Sequence, residues 1–347
     1  MSQKIPEQAR ERGAEANSPK DFTAKTMWTV LRRASSKGIE HNLALLASSV
    51  AFYAFLSFVP LIGAIVMAYG LIADASTVAR HMRFVIDLVP ADAAALIYDQ
   101  LTQLTQTAER RKGIGLFAAM TVSIYGASRA SGAMIAALNI IYEEKDRRSY
   151  LRSAFLSAAL TAGAILVMVT GLTAASLLNF AENWIVGVGP IAALAVKIFS
   201  WLIAASVCIA TIGGIYRFAP NRADASWRWL TLGSVLATLV WVVLTIAFGI
   251  YASRFSDYNA AYGSLGAVVV LMMWLYLSAY AVLLGALINT ETERQTAQDT
   301  TTGRERPIGK RGAIMADTSA ALDTSSVSQG HGLSGLPSGA GGDGEGG

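Results

Sequence analysis

The chain has 347 residues, of which 53% are hydrophobic and only 15% are charged. A soluble domain usually carries about a quarter charged residues, so this composition argues against an ordinary soluble enzyme and indicates an integral membrane protein. The formal net charge of +4 does not by itself indicate a nucleic-acid partner, because basic residues in membrane proteins collect in the cytoplasmic loops.

The residue types that usually build metal sites are scarce. Cys208 is the single cysteine and lies in an apolar run, so it has no partner for an internal disulfide. The three histidines, His41, His81 and His331, are not spaced with each other or with Cys208 as metal ligands. The chain also lacks a G-x-x-x-x-G-K-[ST] loop for nucleotide phosphates. We therefore expect no cofactor and no ATP-driven step within this chain.

Residues 1–40 form a hydrophilic segment, and the stretch "MWTVLRRASSKGIEHN" predicts a short amphipathic helix at the membrane surface. Six apolar segments follow, each longer than the ~20 residues that cross a bilayer. The segments are Ala44–Ile72, Gly113–Ile141, Ala154–Leu178, Ile191–Ile215, Trp229–Tyr251 and Ser264–Asn289. The sequence thus predicts an all-α, polytopic fold with six transmembrane helices within residues 41–291.

The loop of residues 73–112 carries its own helical pattern, with Ala93, Ile97, Leu101 and Leu104 on one face and a start near Pro90. Two interpretations stay open. The amphipathic helix either lies on the outer face of the bundle or forms a lid over a cavity.

Lysine and arginine in the short loops predict the orientation. The second and fourth loops hold Lys145, Arg147, Arg148, Arg152, Arg217, Arg222 and Arg228. Five basic residues in the loop of 73–112 oppose this assignment, but the other loops and the even number of spans outweigh them. We expect a multi-pass protein of the bacterial inner membrane with both termini cytoplasmic. Residues 292–347, which end "SGLPSGAGGDGEGG", are predicted to be a disordered cytoplasmic tail.

Arg129 lies near the middle of the second predicted span, where an arginine costs roughly 2.5–3.5 kcal/mol on insertion scales. At 100° per residue, Tyr125 and Asn139 share its helix face. None of the six spans contains Asp or Glu, so no carboxylate within the membrane can pair with Arg129. Two interpretations fit equally: the arginine bonds carbonyls and fixes packing, or it contacts an anion such as a phosphate, a carboxylate or a lipid headgroup.

The first span supplies a possible neighbouring wall. Tyr53 and Pro60 share one face with Ser57 at its margin, and Pro60 leaves the carbonyl of Leu56 without its helical partner. Lys197, the other charge within a span, is expected to reach the interface, and Asn259 lies in a polar cluster at the outer mouth. The candidate substrate-binding residues are Arg129, Asn139, Tyr125, Tyr53, Ser57, Pro60, Lys197 and Asn259.

Four stretches resemble the YihY/BrkB family of bacterial inner-membrane proteins, formerly named ribonuclease BN. They are "AFYAFLSFVPL", "YGASRASGAMIAALNIIYEEKDRRSYLR", "YRFAPNR" and the run from Arg254 to Arg294, "RFSDYNAAYGSLGAVVVLMMWLYLSAYAVLLGALINTETER". The resemblance covers roughly Trp28 to Arg294 and implies a six-helix membrane protein. It also places Arg129 and Asn139 within the family's second-span motif. It implies little chemistry, and the tail after Arg294 is not part of the shared pattern.

Three functions follow as hypotheses. The first is transport or flipping of an anionic or amphiphilic substrate, such as a lipid, through a cationic cavity. The second is a non-catalytic scaffold or envelope-integrity factor, either a monomer or a weak homodimer. The third is a nuclease, which we disfavour because metal-assisted cleavage needs clustered carboxylates or histidines on a rigid domain. We expect membrane lipids as partners, no nucleic acid and no enzymatic activity.

Overall fold

The computed structural model describes residues 6–70, 112–162, 190–255 and 264–322. Within these ranges the chain is helical, and its one extended pairing is an isolated bridge between Ala225 and Thr301. The helices are α1 Glu7–Glu11, α2 Ala24–Glu40, α3 Leu43–Gly70, α4 Lys112–Ile141, α5 at residues 150–162, α6 Pro190–Phe218, α7 Trp227–Phe255, α8 Ser264–Gln295 and α9 Ile314–Asp317. The predicted all-α fold is confirmed for this part of the chain.

Five helices of 28 to 32 residues (α3, α4, α6, α7 and α8) overlap five of the predicted spans. By length and composition, Trp227–Tyr251 and Val268–Gln295 can each cross a membrane, and α2 with Leu43–Phe58 forms a bent pair that makes a third candidate. The third predicted span is described only to residue 162, and the predicted amphipathic helix between the first two spans lies outside the described residues.

The 66° bend between α2 and α3 occurs at Asn42, whose φ of 52° is left-handed. Asparagine tolerates this conformation better than most residues, so the chain can turn sharply here. The buried face of α2 includes Val30 and Ala34 and lies against α8, where Gly38 approaches Leu287. Val30 and Ala34 thus pack against protein, while Trp28 and Ile39 of the same segment are 70% and 82% exposed.

Two helix pairs approach closely at small residues. A Cβ added to Gly126 on α4 would lie 2.8 Å from the Cβ of Ser57 on α3. On α8, a Cβ added to Gly285 would lie 2.6 Å from the carbonyl oxygen of Gly233 on α7. Asn289 locks the second pair, because its side chain accepts from the Gly233 N–H at 2.7 Å and donates to the Leu230 carbonyl at 3.2 Å. Small residues at such contacts let helix backbones pack without side chains between them.

One end of the bundle is covered by four segments: residues 6–23, 142–149, 219–226 and 296–322. We call it the capped end. Backbone and side-chain hydrogen bonds connect these segments, including Ala297 N–H to the Ala14 carbonyl at 2.9 Å and Ser226 N–H to the Thr300 carbonyl at 2.9 Å. The N–H of Ile314 donates to the Glu144 carboxylate at 2.8 Å.

The capped end corrects the prediction that disorder begins at residue 292. Helix α8 continues to Gln295, and the Arg311 guanidinium then donates to the carbonyls of Gln298, Ala297, Arg306 and Ala316. A polar segment can fold without a large apolar core when its backbone groups are satisfied in this way. The glycine-rich residues 323–347 lie outside the described part of the chain.

Candidate functional site

Arg129 lies on α4, twelve residues before the helix ends at Ile141, or about 18 Å at 1.5 Å per residue. Its side chain is exposed. Its Nη2 donates to the Tyr53 hydroxyl at 3.5 Å, and its Cζ lies 5.2 Å from the centre of the Tyr53 ring. Both contacts are with a neutral side chain, so within the described part of the chain the guanidinium charge has no carboxylate partner.

The other candidates on α3 and α4 surround this contact to different degrees. Ser57 is buried against Gly126, and its hydroxyl donates to the Ala54 carbonyl of its own helix at 2.8 Å. Tyr125 is 60% exposed one turn before Arg129, and Pro60 lies within α3 one turn beyond Ser57. The structure therefore joins Tyr53 to Arg129 directly, while the Ser57 hydroxyl is occupied within its own helix.

A second polar contact on α4 involves α5. Ser157 Oγ donates to the Ser128 carbonyl at 2.7 Å, and the hydroxyls of Thr161 and Ser131 lie 2.8 Å apart. Ser128 and Ser131 flank Arg129 in the sequence, so hydrogen bonds hold both sides of this stretch. These serine and threonine pairs could not be predicted from the sequence, because hydroxyl residues are common in membrane helices.

Asn139 lies apart from Arg129, ten residues or about 15 Å further along α4. Its Oδ1 accepts from the Asn221 N–H at 2.7 Å, and its Nδ2 donates to Asp146 at 3.3 Å. It is 5% exposed and connects α4 to two loops of the capped end. Lys197 lies on α6, but its side chain and the whole of Asn259 are outside the described residues.

The capped end contains a buried charge cluster that the sequence analysis missed, which we call the Arg222 cluster: Tyr142, Arg222, Glu293 and Thr300. The Arg222 and Glu293 side chains are 1% and 0% exposed and lie 2.7 Å apart. Thr300 donates to the same carboxylate at 3.2 Å, and the guanidinium carbon lies 4.8 Å from the Tyr142 ring centre. Burial favours a lower pKa for Arg222, but the nearby Glu293 carboxylate raises its pKa above the ordinary value.

A pocket of about 240 Å³ opens beside this cluster, between α5 and the loop after α6. We call it the basic pocket. Its lining includes Arg148, Arg152, Phe155, Phe218, Arg222 and Asp224. Both terminal nitrogens of Arg148 donate to the Ala219 carbonyl at 3.0 Å, and its Nε donates to Asn221 at 3.1 Å. In the sequence these arginines indicate only orientation, because their convergence depends on how α5 packs.

Long apolar helices with a charged residue far from either end, and a polar cap at one end, define a helical membrane protein. The model of the family described as Virulence factor BrkB matches residues 34–309, which is most of the chain. The chain belongs to this family, as its resemblance to YihY/BrkB proteins predicted.

Individual relatives are more distant. The chain is 29% identical over 204 residues to a ribonuclease-like protein, YfkH, of Bacillus subtilis (strain 168), covering 58% of this chain and 72% of the relative. It is 28% identical over 217 residues to a UPF0761 membrane protein of Idiomarina loihiensis, covering 61% and 72%. A UPF0761 membrane protein of Nitrosospira multiformis is 28% identical over 257 residues, covering 72% and 57%. No solved structure matches the chain.

Proposed function

We propose that this protein is a six-helix protein of the inner membrane that transports or flips an anionic or amphiphilic substrate, such as a lipid. The five long described helices, together with α5 at the start of the third predicted span, support the helix count. The orientation with both termini cytoplasmic is supported by the capped end, which carries the loops rich in lysine and arginine. In this arrangement the substrate passes along the face where α3 meets α4.

The observation that carries the proposal is the position of the Arg129 guanidinium. It is exposed about 18 Å from the end of α4, and Tyr53 satisfies at most one of its five N–H donors. A charge at this depth usually faces a partner or a water-filled cavity. The planar fork of N–H groups suits a phosphate or carboxylate, and the Tyr53 ring holds the guanidinium in place.

The absence of Asp and Glu from the six predicted spans limits the mechanism. Proton-coupled transporters usually carry titratable carboxylates inside the membrane. We therefore propose that Arg129 lowers the barrier for an anionic headgroup at mid-membrane, and that the proline in α3 frees a backbone carbonyl along the same route. The direction of transport then follows the concentration gradient of the substrate.

A flux assay in proteoliposomes tests the proposal. Fluorescent phosphatidylglycerol and phosphatidylcholine are followed separately, with wild type, Arg129→Gln, Arg129→Lys and empty liposomes. We expect wild type to accelerate phosphatidylglycerol translocation and Arg129→Gln to reduce that rate by about tenfold, since a charged hydrogen bond contributes about 1.5 kcal/mol or more. Arg129→Lys should retain part of the rate. Wild-type flux equal to that of empty liposomes, or unaffected by Arg129→Gln in folded protein, rejects the proposal.

A scaffold function is the second candidate, because the contact of Arg129 with Tyr53 also ties α3 to α4. We propose it as the alternative, with the protein acting as a monomer or weak homodimer among membrane lipids. Arg129→Met should then lower the melting temperature without any selective change in flux.

We also propose that the protein is not an enzyme and has no nucleic-acid partner. Among the described residues, no group of three or more His, Cys, Asp or Glu side chains lies close enough together to hold a metal ion. Incubation of the purified full chain with labelled RNA and Mg²⁺ or Mn²⁺ tests this point. Cleavage that follows the protein through successive columns contradicts it.

A further inference from the structure

The basic pocket brings three guanidinium groups to one cavity and opposes them with one lining carboxylate, that of Asp224. Asp224 is itself half-exposed and lies 3.8 Å from Arg217. Arg222 is paired with Glu293 and Arg148 Nε lies 4.0 Å from Asp146, so Arg152 supplies the excess positive charge. This pocket lies at the capped end. Its α5 lining continues into Ser157, which bonds the Ser128 carbonyl beside Arg129, but Arg129 does not line the pocket and the transport proposal does not use it.

Arg148 is a positioned group, because the carbonyl of Ala219 and the side chain of Asn221 fix its guanidinium. Those contacts use three of its five N–H donors and leave two for a ligand. Arg152, in the first turn of α5, is exposed and makes no ion pair among the described residues. Together they provide one fixed and one exposed donor group in the lining of the cavity.

The two arginines are also close enough to disfavour each other's charge. Burial lowers the pKa of Arg148; Asp146 opposes this effect, and Arg152 lowers the pKa further. An anion between the two guanidinium groups would relieve the repulsion and use their remaining donors. Phosphate suits this geometry, because it accepts several N–H bonds in a fork arrangement.

The rim of the pocket is apolar and open. Phe155 is 77% exposed and Phe218 is 53% exposed, and both line the cavity. Leu151, on the adjoining turn of α5, is 80% exposed. In a family of membrane proteins, an exposed aromatic rim at the end of long apolar helices lies at the level of the bilayer interface. A free phosphate would use the arginines only, whereas a phospholipid would use the arginines and the rim.

From this combination we infer that the basic pocket binds the phosphate-bearing headgroup of an anionic phospholipid, with the acyl chains running past Phe155 and Phe218. Arg148 and Arg152 contact the phosphate. Arg222, already paired with Glu293, closes the inner wall of the pocket.

Native mass spectrometry of the detergent-solubilised full chain tests the inference, with phosphatidylglycerol, phosphatidylcholine or inorganic phosphate added separately. The variants are Arg152→Gln, Arg152→Lys and the matched control Arg147→Gln, which removes the same charge from an exposed position outside the pocket lining. We expect Arg152→Gln to weaken phosphatidylglycerol binding by about fivefold, Arg152→Lys to restore most of it, and Arg147→Gln to change it by less than about twofold.

Melting temperatures without added lipid establish that each variant is folded. An equal loss of phosphatidylglycerol in Arg152→Gln and Arg147→Gln, or no loss in either, overturns the assigned pocket. Retention of inorganic phosphate without preference for phosphatidylglycerol over phosphatidylcholine overturns the lipid assignment. Because Arg129 is intact in all these variants, failure here leaves the flux proposal to its own test, and the reverse also holds.

Discussion

Arg222 and Glu293 form an ion pair that water barely reaches, since their side chains are 1% and 0% exposed. Each lies at a junction: Arg222 in the loop between α6 and α7, and Glu293 near the end of α8. One oxygen of Glu293 and one terminal nitrogen of Arg222 are buried without a hydrogen-bond partner among the described residues. Buried groups of this kind are usually satisfied by an internal water molecule.

Removing one partner of this pair should destabilise the protein more than removing both. Glu293→Gln leaves the Arg222 charge buried, and we expect a loss of about 3–5 kcal/mol, whereas Arg222→Met combined with Glu293→Leu should recover most of it. Thermal unfolding in detergent measures the stability of the single and the double variant. Equal melting temperatures for Glu293→Gln and wild type would show that solvent reaches Arg222.

Glu144 gives the capped end a pH dependence. Burial raises the pKa of its carboxyl above the ordinary 4.5, although the hydrogen bond from Ile314 N–H opposes the shift. The folded chain therefore holds this proton to a higher pH than the unfolded chain. The contribution of the protonated Glu144 carboxyl to the stability of the fold is fully present below pH 4.5. It is lost as the pH rises through the folded-state pKa.

Glu144→Gln keeps an oxygen that can accept from Ile314 but has no proton to release. We expect the melting temperature of Glu144→Gln to change less with pH than that of wild type at pH values above 4.5. At pH 7 the gain in melting temperature should not exceed about 2 °C, because solvent screens this partly exposed group. If the melting temperatures of Glu144→Gln and wild type change in parallel with pH across this range, groups other than Glu144 cause the pH dependence.

At the scale of helices, the contact between α7 and α8 depends on Gly285. A Cβ there would lie 2.6 Å from the Gly233 carbonyl and 2.5 Å from the Tyr216 hydroxyl. Gly285→Ala should cost about 1–3 kcal/mol, because backbone must move to admit the methyl group. Gly249→Ala on α7 is the matched control, since its Cβ would meet nothing within 4 Å.

We expect Gly249→Ala to leave the melting temperature unchanged or to raise it slightly, because alanine favours helix by about 1 kcal/mol over glycine. Comparison of both variants in one detergent separates the packing effect from helix propensity. A melting temperature for Gly285→Ala at or above that of Gly249→Ala would mean that α7 and α8 adjust without strain.

The helix bounds show which features a sequence predicts well. Gly113–Ile141 was predicted and Lys112–Ile141 is observed, because a long apolar run flanked by charges determines both ends. The sixth apolar span was predicted to end at Asn289, and the helix that contains it continues to Gln295. Its final turns are stabilised by Arg33, which contacts Glu291 at 2.8 Å, and by Arg222, which contacts Glu293 at 2.7 Å. Both partners are distant in the sequence, so a local pattern could not identify them.

The same distinction applies to the candidate residues. Arg129 and Tyr53 were identified from charge, depth and helix face, and they contact each other. Asn139 shares the helix face of Arg129, but its amide is occupied by Asn221 and Asp146. The basic pocket was not predicted, because arginines in membrane-protein loops usually serve orientation alone. Only the packing of α5 against α4 and the following loops reveals their convergence.

At the scale of the whole molecule, residues 296–322 hold the capped end together. They bond the N-terminal segment through Ala297 to Ala14 at 2.9 Å, the loop after α6 through Ser226 to Thr300 at 2.9 Å, and the loop after α4 through Ile314 to Glu144 at 2.8 Å. Thr300 also supports the buried Glu293. This segment is thus part of the folded bundle, although its composition predicted a free tail.

A chain that stops after Gln295 loses all of these contacts, whereas a chain that stops after Leu322 keeps them. We expect the shorter chain to melt at least about 5 °C lower than the full chain, since each lost hydrogen bond contributes about 1 kcal/mol and each kcal/mol shifts the melting temperature by about 2–4 °C. The chain ending at Leu322 should melt close to the full chain. Trypsin supplies a second measurement: without residues 296–322, cleavage after Arg10 and Arg12 should accelerate, because the N-terminal segment loses its bonds to Thr296 and Ala297. If both truncated chains melt and digest alike, the cap does not stabilise the bundle.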